Sequence, residues 1–129
     1  MNLIDLAKEA SKKAYTPYSH FNVGAALLTK TNKVYLGCNV ENGNFVSGCC
    51  AEKTAFVKAI SEGEKEFQAI AIYGGKDDVH DYCLPCGSCR QVINEFCDKD
   101  FKIYVTNDKE VKCYTLDELL PHSFKLEEK

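Results

Sequence analysis

The chain predicts an α/β fold in which a mixed sheet of about five strands is covered by helices on both faces. Three observations point there. Phe21 to Thr29 and Lys33 to Asn39 are short, apolar, β-compatible stretches on either side of Lys30-Thr31-Asn32, a plausible hairpin loop. After that hairpin the pattern runs helix, strand, helix, strand, which favours parallel strands joined by helical crossovers. Gln68 to Gly74 is too continuously apolar to keep one wet face, so it belongs at the centre of the sheet.

Taken in order, Leu3, Leu6, Ala7, Ala10 and Ala14 recur at helical spacing and predict a first helix over residues 3 to 15. Lys12 and Lys13 fall late in it, where cations suit the helix dipole. Thr16 precedes Pro17 and is pushed out of the helical region, so the chain turns at Tyr15-Thr16-Pro17-Tyr18. At the end of the second strand Asn39 and Glu41 stand two apart and share a face, with Val40 on the other. They read either as a polar strand end facing water or as an amide and a carboxylate set to hold sugar hydroxyls.

Asn42 to Gly48 has the composition of a loop, and a helix follows from about Cys50 to Ser61, ended by Gly63. Lys76 to Leu84 is expected to be a polar loop. Pro85 introduces a helix from about Cys86 to Cys97, Phe101 to Thr106 makes the next strand, and Val111 to Tyr114 a short edge strand. Thr115-Leu116-Asp117-Glu118 carries the capping-box pattern of a final short helix, which Pro121 stops.

A chain of 129 residues fits one domain spanning residues 1 to 129, able to bury a core without disulfide staples. Its 45% apolar and 27% charged content is ordinary for a globular protein, and no apolar run approaches the roughly 20 residues of a membrane span. The net charge of −3 leaves no basic face for DNA or RNA, so a small or neutral ligand is expected. Met1 to Leu6 lacks the charged-then-apolar order of a signal peptide, which makes the cytoplasm the expected compartment.

The eight cysteines then read as thiols and metal ligands rather than as a disulfide framework. Cys86 and Cys89 lie three apart at a helix start, where one turn brings both to the same ion. Cys50, at the start of a neighbouring helix, would make three protein ligands and leave the fourth tetrahedral position for water, as in catalytic zinc sites. Two helix N-termini stabilise sulfur there as thiolate, and Lys53 and Arg90 are candidates for further cationic help.

Other readings compete. Cys83-Leu84-Pro85-Cys86-Gly87-Ser88-Cys89 could open an iron–sulfur site, but the fourth position holds Ile93. Cys83 could instead close a four-cysteine structural zinc site, although Pro85 forces Leu84 to be extended and carries Cys83 away. The thiols of Cys38, Cys49, Cys83, Cys97 and Cys113 also read as small buried hydrophobes. Glu52 suits the first turn of a helix on dipole grounds alone. Two residues from a metal thiolate and beside an open coordination position, it would also be placed to move the proton of an activated water.

Tyr18 to Leu27, Gly37-Cys38-Asn39-Val40-Glu41-Asn42, Cys50-Ala51-Glu52, Pro85-Cys86-Gly87-Ser88-Cys89-Arg90-Gln91 and Glu118-Leu119-Leu120-Pro121 together resemble the zinc-dependent cytidine deaminases, specifically their small homotetrameric branch. The resemblance runs over nearly the whole chain. It implies a three-layer α/β/α cytidine deaminase-like fold and hydrolysis of cytidine and 2′-deoxycytidine to uridine and 2′-deoxyuridine in pyrimidine salvage. Cys50, Cys86 and Cys89 would hold Zn²⁺, and Glu52 would be the general acid/base while water activated on the metal attacks C4 of cytosine. Asn39 and Glu41 would hold the ribose, Phe21 would lie against the pyrimidine, and the backbone at Ala51 would read the base edge. Phe45 and Phe124 would reach across subunit interfaces of a homotetramer.

Two departures stand out. Relatives commonly carry arginine directly after the catalytic glutamate, whereas Lys53 offers only a point charge. Phe45 stands where tyrosine is frequent, which bears on substrate preference. A deaminase of an aminated, cytosine-like antibiotic such as blasticidin S is the nearest alternative activity, and a non-catalytic four-cysteine zinc protein the nearest alternative class.

Overall fold

In the computed structural model, which describes residues 2–126, helix α1 (Leu3–Ser11) leads into a sheet of six strands. The strands are β1 (Phe21–Thr29), β2 (Val34–Cys38), β3 (Phe67–Lys76), β4 (Val79–Asp81), β5 (Lys102–Thr106) and β6 (Val111–Thr115). Helix α2 (Ala51–Ser61) joins β2 to β3, α3 (Gly87–Phe96) joins β4 to β5, and α4 (Leu116–Leu119) follows β6. The order across the sheet is β2-β1-β3-β5-β6, with β4 paired to the end of β3.

β1 is antiparallel to both β2 and β3, so α2 carries the chain over β1 to a strand parallel to β2. β3 and β5 are parallel in register from Ala69 with Lys102 to Ile72 with Val105, the second helical crossover. β3 lies at the centre and is buried from Ala69 to Gly75, as its continuous apolar sequence requires.

Alternate residues on the central strands feed two cores. Ala25, Leu27, Ile70, Ile72, Ile103 and Val105 face α2, α3 and α4, where they meet Ala51, Ala55, Phe56, Ala59, Ile93 and Leu116. Ala26, Ala71 and Tyr73 face α1 and meet Ala7. Phe56 is fully buried and packs edge-on against Phe67 with ring centroids 5.1 Å apart. Its burial contributes on the order of 1.5–3 kcal/mol.

One glycine fixes how closely α2 approaches the sheet. A Cβ on Gly37 would lie 2.4 Å from the Ala51 carbonyl oxygen and 2.6 Å from the Ala55 nitrogen. The small residues Ala51, Ala55 and Ala59 complete that close contact.

Four expectations need correction. The stretch Lys76 to Leu84, expected to be a polar loop, contains β4, a hairpin partner of β3 that brings the sheet to six strands. Helix α1 ends at Ser11 rather than running to Tyr15, because the Tyr15 N–H and C=O are taken by the Asn39 carbonyl and the Glu41 N–H. The expected loop from Asn42 to Gly48 contains a 3-10 turn, Phe45–Ser47, which Asn44 caps. The accessory thiols are not uniformly buried: Cys97 is, Cys38, Cys49 and Cys83 are half-buried, and Cys113 is exposed on edge strand β6. The capping box at α4 is present, with Thr115 and Glu118 bonding reciprocally. Among the described residues no helix is long and apolar enough to cross a membrane.

Candidate active site and metal centre

Cys50 and Cys86 are the N-cap residues of α2 and α3, and Cys89 sits in the first turn of α3. Neither N-cap side chain accepts a capping hydrogen bond, although Ser, Thr, Asp and Asn ordinarily do so here. The crossovers bring the two helix starts together, so the sulfurs of Cys50, Cys86 and Cys89 all lie within 4.8 Å of one another. Tetrahedral zinc with sulfur ligands at about 2.3 Å places its sulfurs about 3.8 Å apart, so the donor set suits that ion after small side-chain adjustments. Cys83 is not part of this cluster, although the charges of Glu52, Cys50 and Cys86 reach its thiol.

The electrostatics of the thiols favour a cation. The thiols of Cys89 and Cys86 hydrogen-bond the sulfur of Cys50 and, with Lys53 nearby, pull it down to about 6. Cys89, donating that hydrogen bond from a buried position, is pushed up. The two shifts are opposite faces of one shared proton, so without a metal the cluster keeps Cys89 protonated and places negative charge on Cys50. Arg90 is engaged with backbone carbonyls. Its Nε donates to the Pro85 carbonyl at 2.7 Å and its Nη1 to the Leu119 carbonyl at 2.8 Å, tying the start of α3 to the end of α4. Lys53 therefore supplies the cationic help through its field, while Arg90 supports the backbone.

Glu52 is 5% exposed on the first turn of α2, beside the thiol cluster. Burial, followed by the nearby charge of Cys50, pushes its carboxyl up to about 7. A carboxyl poised near neutrality can both take and return a proton.

A cavity of about 600 Å³ opens beside Cys50, and Asn39, Glu41 and Phe45 line it together with Tyr18, Ser19 and Cys49. Asn39 and Glu41 lie just past the end of β2 and keep to the same cavity, Val40 between them bridging to Tyr15 and Cys49. Asn39 Oδ1 accepts the Val23 N–H at 2.9 Å, and its Nδ2 donates to the Phe21 carbonyl at 2.8 Å. Glu41 accepts the N–H groups of Tyr18 and Ser19 on Oε1, each at 3.1 Å, and the Ser19 hydroxyl on Oε2. These donors, the Ser19 hydroxyl foremost, hold its carboxyl below the usual range and keep it ionised.

Phe21 opens β1 and is 40% exposed. A Cβ on Gly74 would come within 3.2 Å of the Phe21 ring and 2.7 Å of Cys83 Sγ, so glycine there leaves room for both. Ala51 is fully buried at the first position of α2. Phe124 is 66% exposed away from this cavity, its carbonyl accepting from Asn94 Nδ2 at 2.8 Å on α3. Tyr18 and Ser19 lie in the matched stretch, yet no local pattern assigns them a role. Their link to Glu41 spans more than twenty residues of sequence.

Comparison with known proteins agrees with this geometry. Residues 1–105 match the family model described as the cytidine and deoxycytidylate deaminase zinc-binding region. A cytidine deaminase of Sporosarcina psychrophila is 45% identical over 127 residues, covering 98% of this chain and 91% of that protein. One from Halalkalibacterium halodurans is 44% identical over 127 residues, covering 98% of this chain and 94% of that protein. The crystal structure of cytidine deaminase from Burkholderia pseudomallei superposes with a TM-score of 0.88 at 44% identity, covering 95% of this chain and 96% of that one. On this match, with three thiols gathered at two helix starts, the chain belongs to the zinc-binding cytidine and deoxycytidylate deaminase family.

Proposed function

We propose that this chain deaminates cytidine and 2′-deoxycytidine by hydrolysis, giving uridine or 2′-deoxyuridine and ammonia. The observation that carries the reading is the buried Glu52 carboxyl beside the Cys50, Cys86 and Cys89 sulfurs, of which Cys50 lines the same cavity as Asn39 and Glu41.

Cys50, Cys86 and Cys89 would hold Zn²⁺. When bound, the ion supplies the Lewis acidity that lets water serve as a nucleophile near neutral pH. The helix starts stabilise the ligating sulfurs as thiolates. Glu52 takes the proton of the attacking water on a carboxylate oxygen and returns it to the departing amine, a cycle suited to its raised pKa. Its burial keeps bulk water from intercepting that proton.

Phe21 lies against the pyrimidine, the backbone at Ala51 reads the base edge, and Asn39 and Glu41 hold a hydroxyl common to ribose and 2′-deoxyribose. That pair favours a nucleoside over a blasticidin-like substrate, which need not present a sugar hydroxyl there. The exposed Phe45 and Phe124 reach neighbouring subunits in a homotetramer. The whole chain, residues 1 to 129, acts as one catalytic domain in cytoplasmic pyrimidine salvage.

The test is incubation of zinc-loaded protein with cytidine, following loss of cytosine absorbance, with blasticidin S alongside. Turnover of cytidine supports the reading; fully loaded protein without turnover overturns it. X-ray absorption then separates three sulfurs with one lighter ligand from the four sulfurs of a structural site.

A further inference from the structure

One hydroxyl joins Glu41, in the cavity, to Phe21, residues that the proposed function assigns to different halves of the nucleoside. Ser19 Oγ donates to Glu41 Oε2 and accepts the backbone N–H of Phe21 at 3.0 Å. The residue between them, His20, has φ 59°, in the left-handed region, and its N–H is held by the Thr16 carbonyl at 3.0 Å. Histidine is among the side chains that tolerate this conformation, and the turn folds the Ser19 hydroxyl back against the start of β1.

Counting acceptor positions shows what the hydroxyl does for Glu41. A carboxylate offers about four lone-pair sites, two on each oxygen. Both sites on Oε1 are taken by the N–H groups of Tyr18 and Ser19. The Ser19 hydroxyl takes one on Oε2, so a single acceptor position is left, on a carboxylate that can no longer rotate.

Phe21 is fixed at both of its backbone groups. Its N–H goes to Ser19 and its carbonyl receives Asn39 Nδ2 at 2.8 Å. Asn39 therefore holds the Phe21 backbone directly, and Glu41 holds it through Ser19. The separation between the sugar-binding carboxylate and the aromatic ring then depends on a side chain that need not touch substrate.

We propose that Ser19 is a positioning residue for deamination, orienting the remaining acceptor of Glu41 and setting Phe21 relative to it. This rests on the reading of Glu41 and Phe21 as nucleoside contacts. Ser19→Ala removes the donor to Oε2 and frees the Phe21 N–H, so Glu41 can rotate and turn its open acceptors away from the sugar.

The experiment compares zinc-loaded wild type, Ser19→Ala, Ser19→Thr, Glu41→Gln and the double variant Ser19→Ala/Glu41→Gln with cytidine. Zinc content and melting temperature are measured for each. Ser19→Ala should raise KM about tenfold with kcat within about threefold of wild type, the size expected for one hydrogen bond to a charged group. Ser19→Thr, which keeps the hydroxyl, should restore KM. The double variant should have the KM of Glu41→Gln alone, since coupled groups are not additive.

An unchanged KM in Ser19→Ala, with Glu41→Gln impaired, overturns the role of Ser19 and leaves the sugar-binding reading intact. An unchanged KM in Glu41→Gln overturns the sugar-binding reading, and the proposal with it. A loss in Ser19→Ala that Ser19→Thr does not restore, or that adds in full to that of Glu41→Gln, also overturns the positioning role.

Discussion

The carboxyl of Glu52, on α2, and the thiol of Cys89, on α3, are both buried, and the charge of the first raises the second. The proposed proton carrier and a proposed metal ligand thus sit on neighbouring helix starts, and each is shifted upward by burial and by the Cys50 sulfur.

Removing the Glu52 charge should stabilise the metal-free protein at high pH. Its folded value of about 7 lies above that of a free glutamate, so folding binds a proton between those values. The cost of burying the charge is absent below the lower value and develops as pH rises through the upper one. The shift corresponds to about 3 kcal/mol when fully developed. Metal-free Glu52→Gln should therefore resist urea better than metal-free wild type at about pH 8, with the gap narrowing toward about pH 5. A gap equal at both pH values would contradict this. The zinc-loaded variant should retain its metal and lose turnover.

Zinc affinity should rise with pH. Cys89 is held protonated by its hydrogen bond to Cys50, and that proton must leave before the sulfur can ligate. Competition with a chromophoric chelator at about pH 6.5 and 8 measures the effect, with proton release in weak buffer as a second readout. A pH-independent affinity would rule out the shared proton.

Gly37→Ala should cost about 1–3 kcal/mol or more, because the added methyl meets backbone atoms of α2 rather than a movable side chain. The same displacement moves Cys50, the N-cap of α2, away from Cys86 and Cys89. Equilibrium denaturation and zinc content should therefore both fall. Loss of stability with normal zinc binding would show that the helix start adjusts independently.

Arg90→Lys should lower stability by about 1–3 kcal/mol, since a point charge cannot serve the Pro85 and Leu119 carbonyls in the fork geometry of a guanidinium. Its kcat/KM, measured well below the melting temperature, should stay within about threefold of wild type. A large loss of turnover with unchanged melting would instead place Arg90 in the charge balance of the thiols.

The features legible in the sequence were those whose causes are local. The hairpin around Lys30-Thr31-Asn32, the helix starts at Cys50 and Cys86 and the capping box at Thr115 each rest on a few adjacent residues. What escaped depends on distant partners. Val79-His80-Asp81 has no strand signature of its own and becomes β4 only by pairing with the end of β3. The apolar spacing through Ala14 continues a helix that the chain leaves at Ser11, where pairing of Tyr15 beside Val40 prevails over propensity. The gathering of Cys50, Cys86 and Cys89 was legible from their places at two helix starts, with Cys83 open as an alternative. The anchoring of Glu41 by Ser19 was not, because the turn that joins them forms only when β1 and β2 pair.

The two cysteines that begin α2 and α3 leave those helices without the side-chain acceptor that would close their first turns. Each helix body is secured by its packing on the sheet, but each opening turn is finished from outside its own chain segment. An ion held by these sulfurs would act as a rivet through both ends, fastening two crossovers whose bodies are already in place.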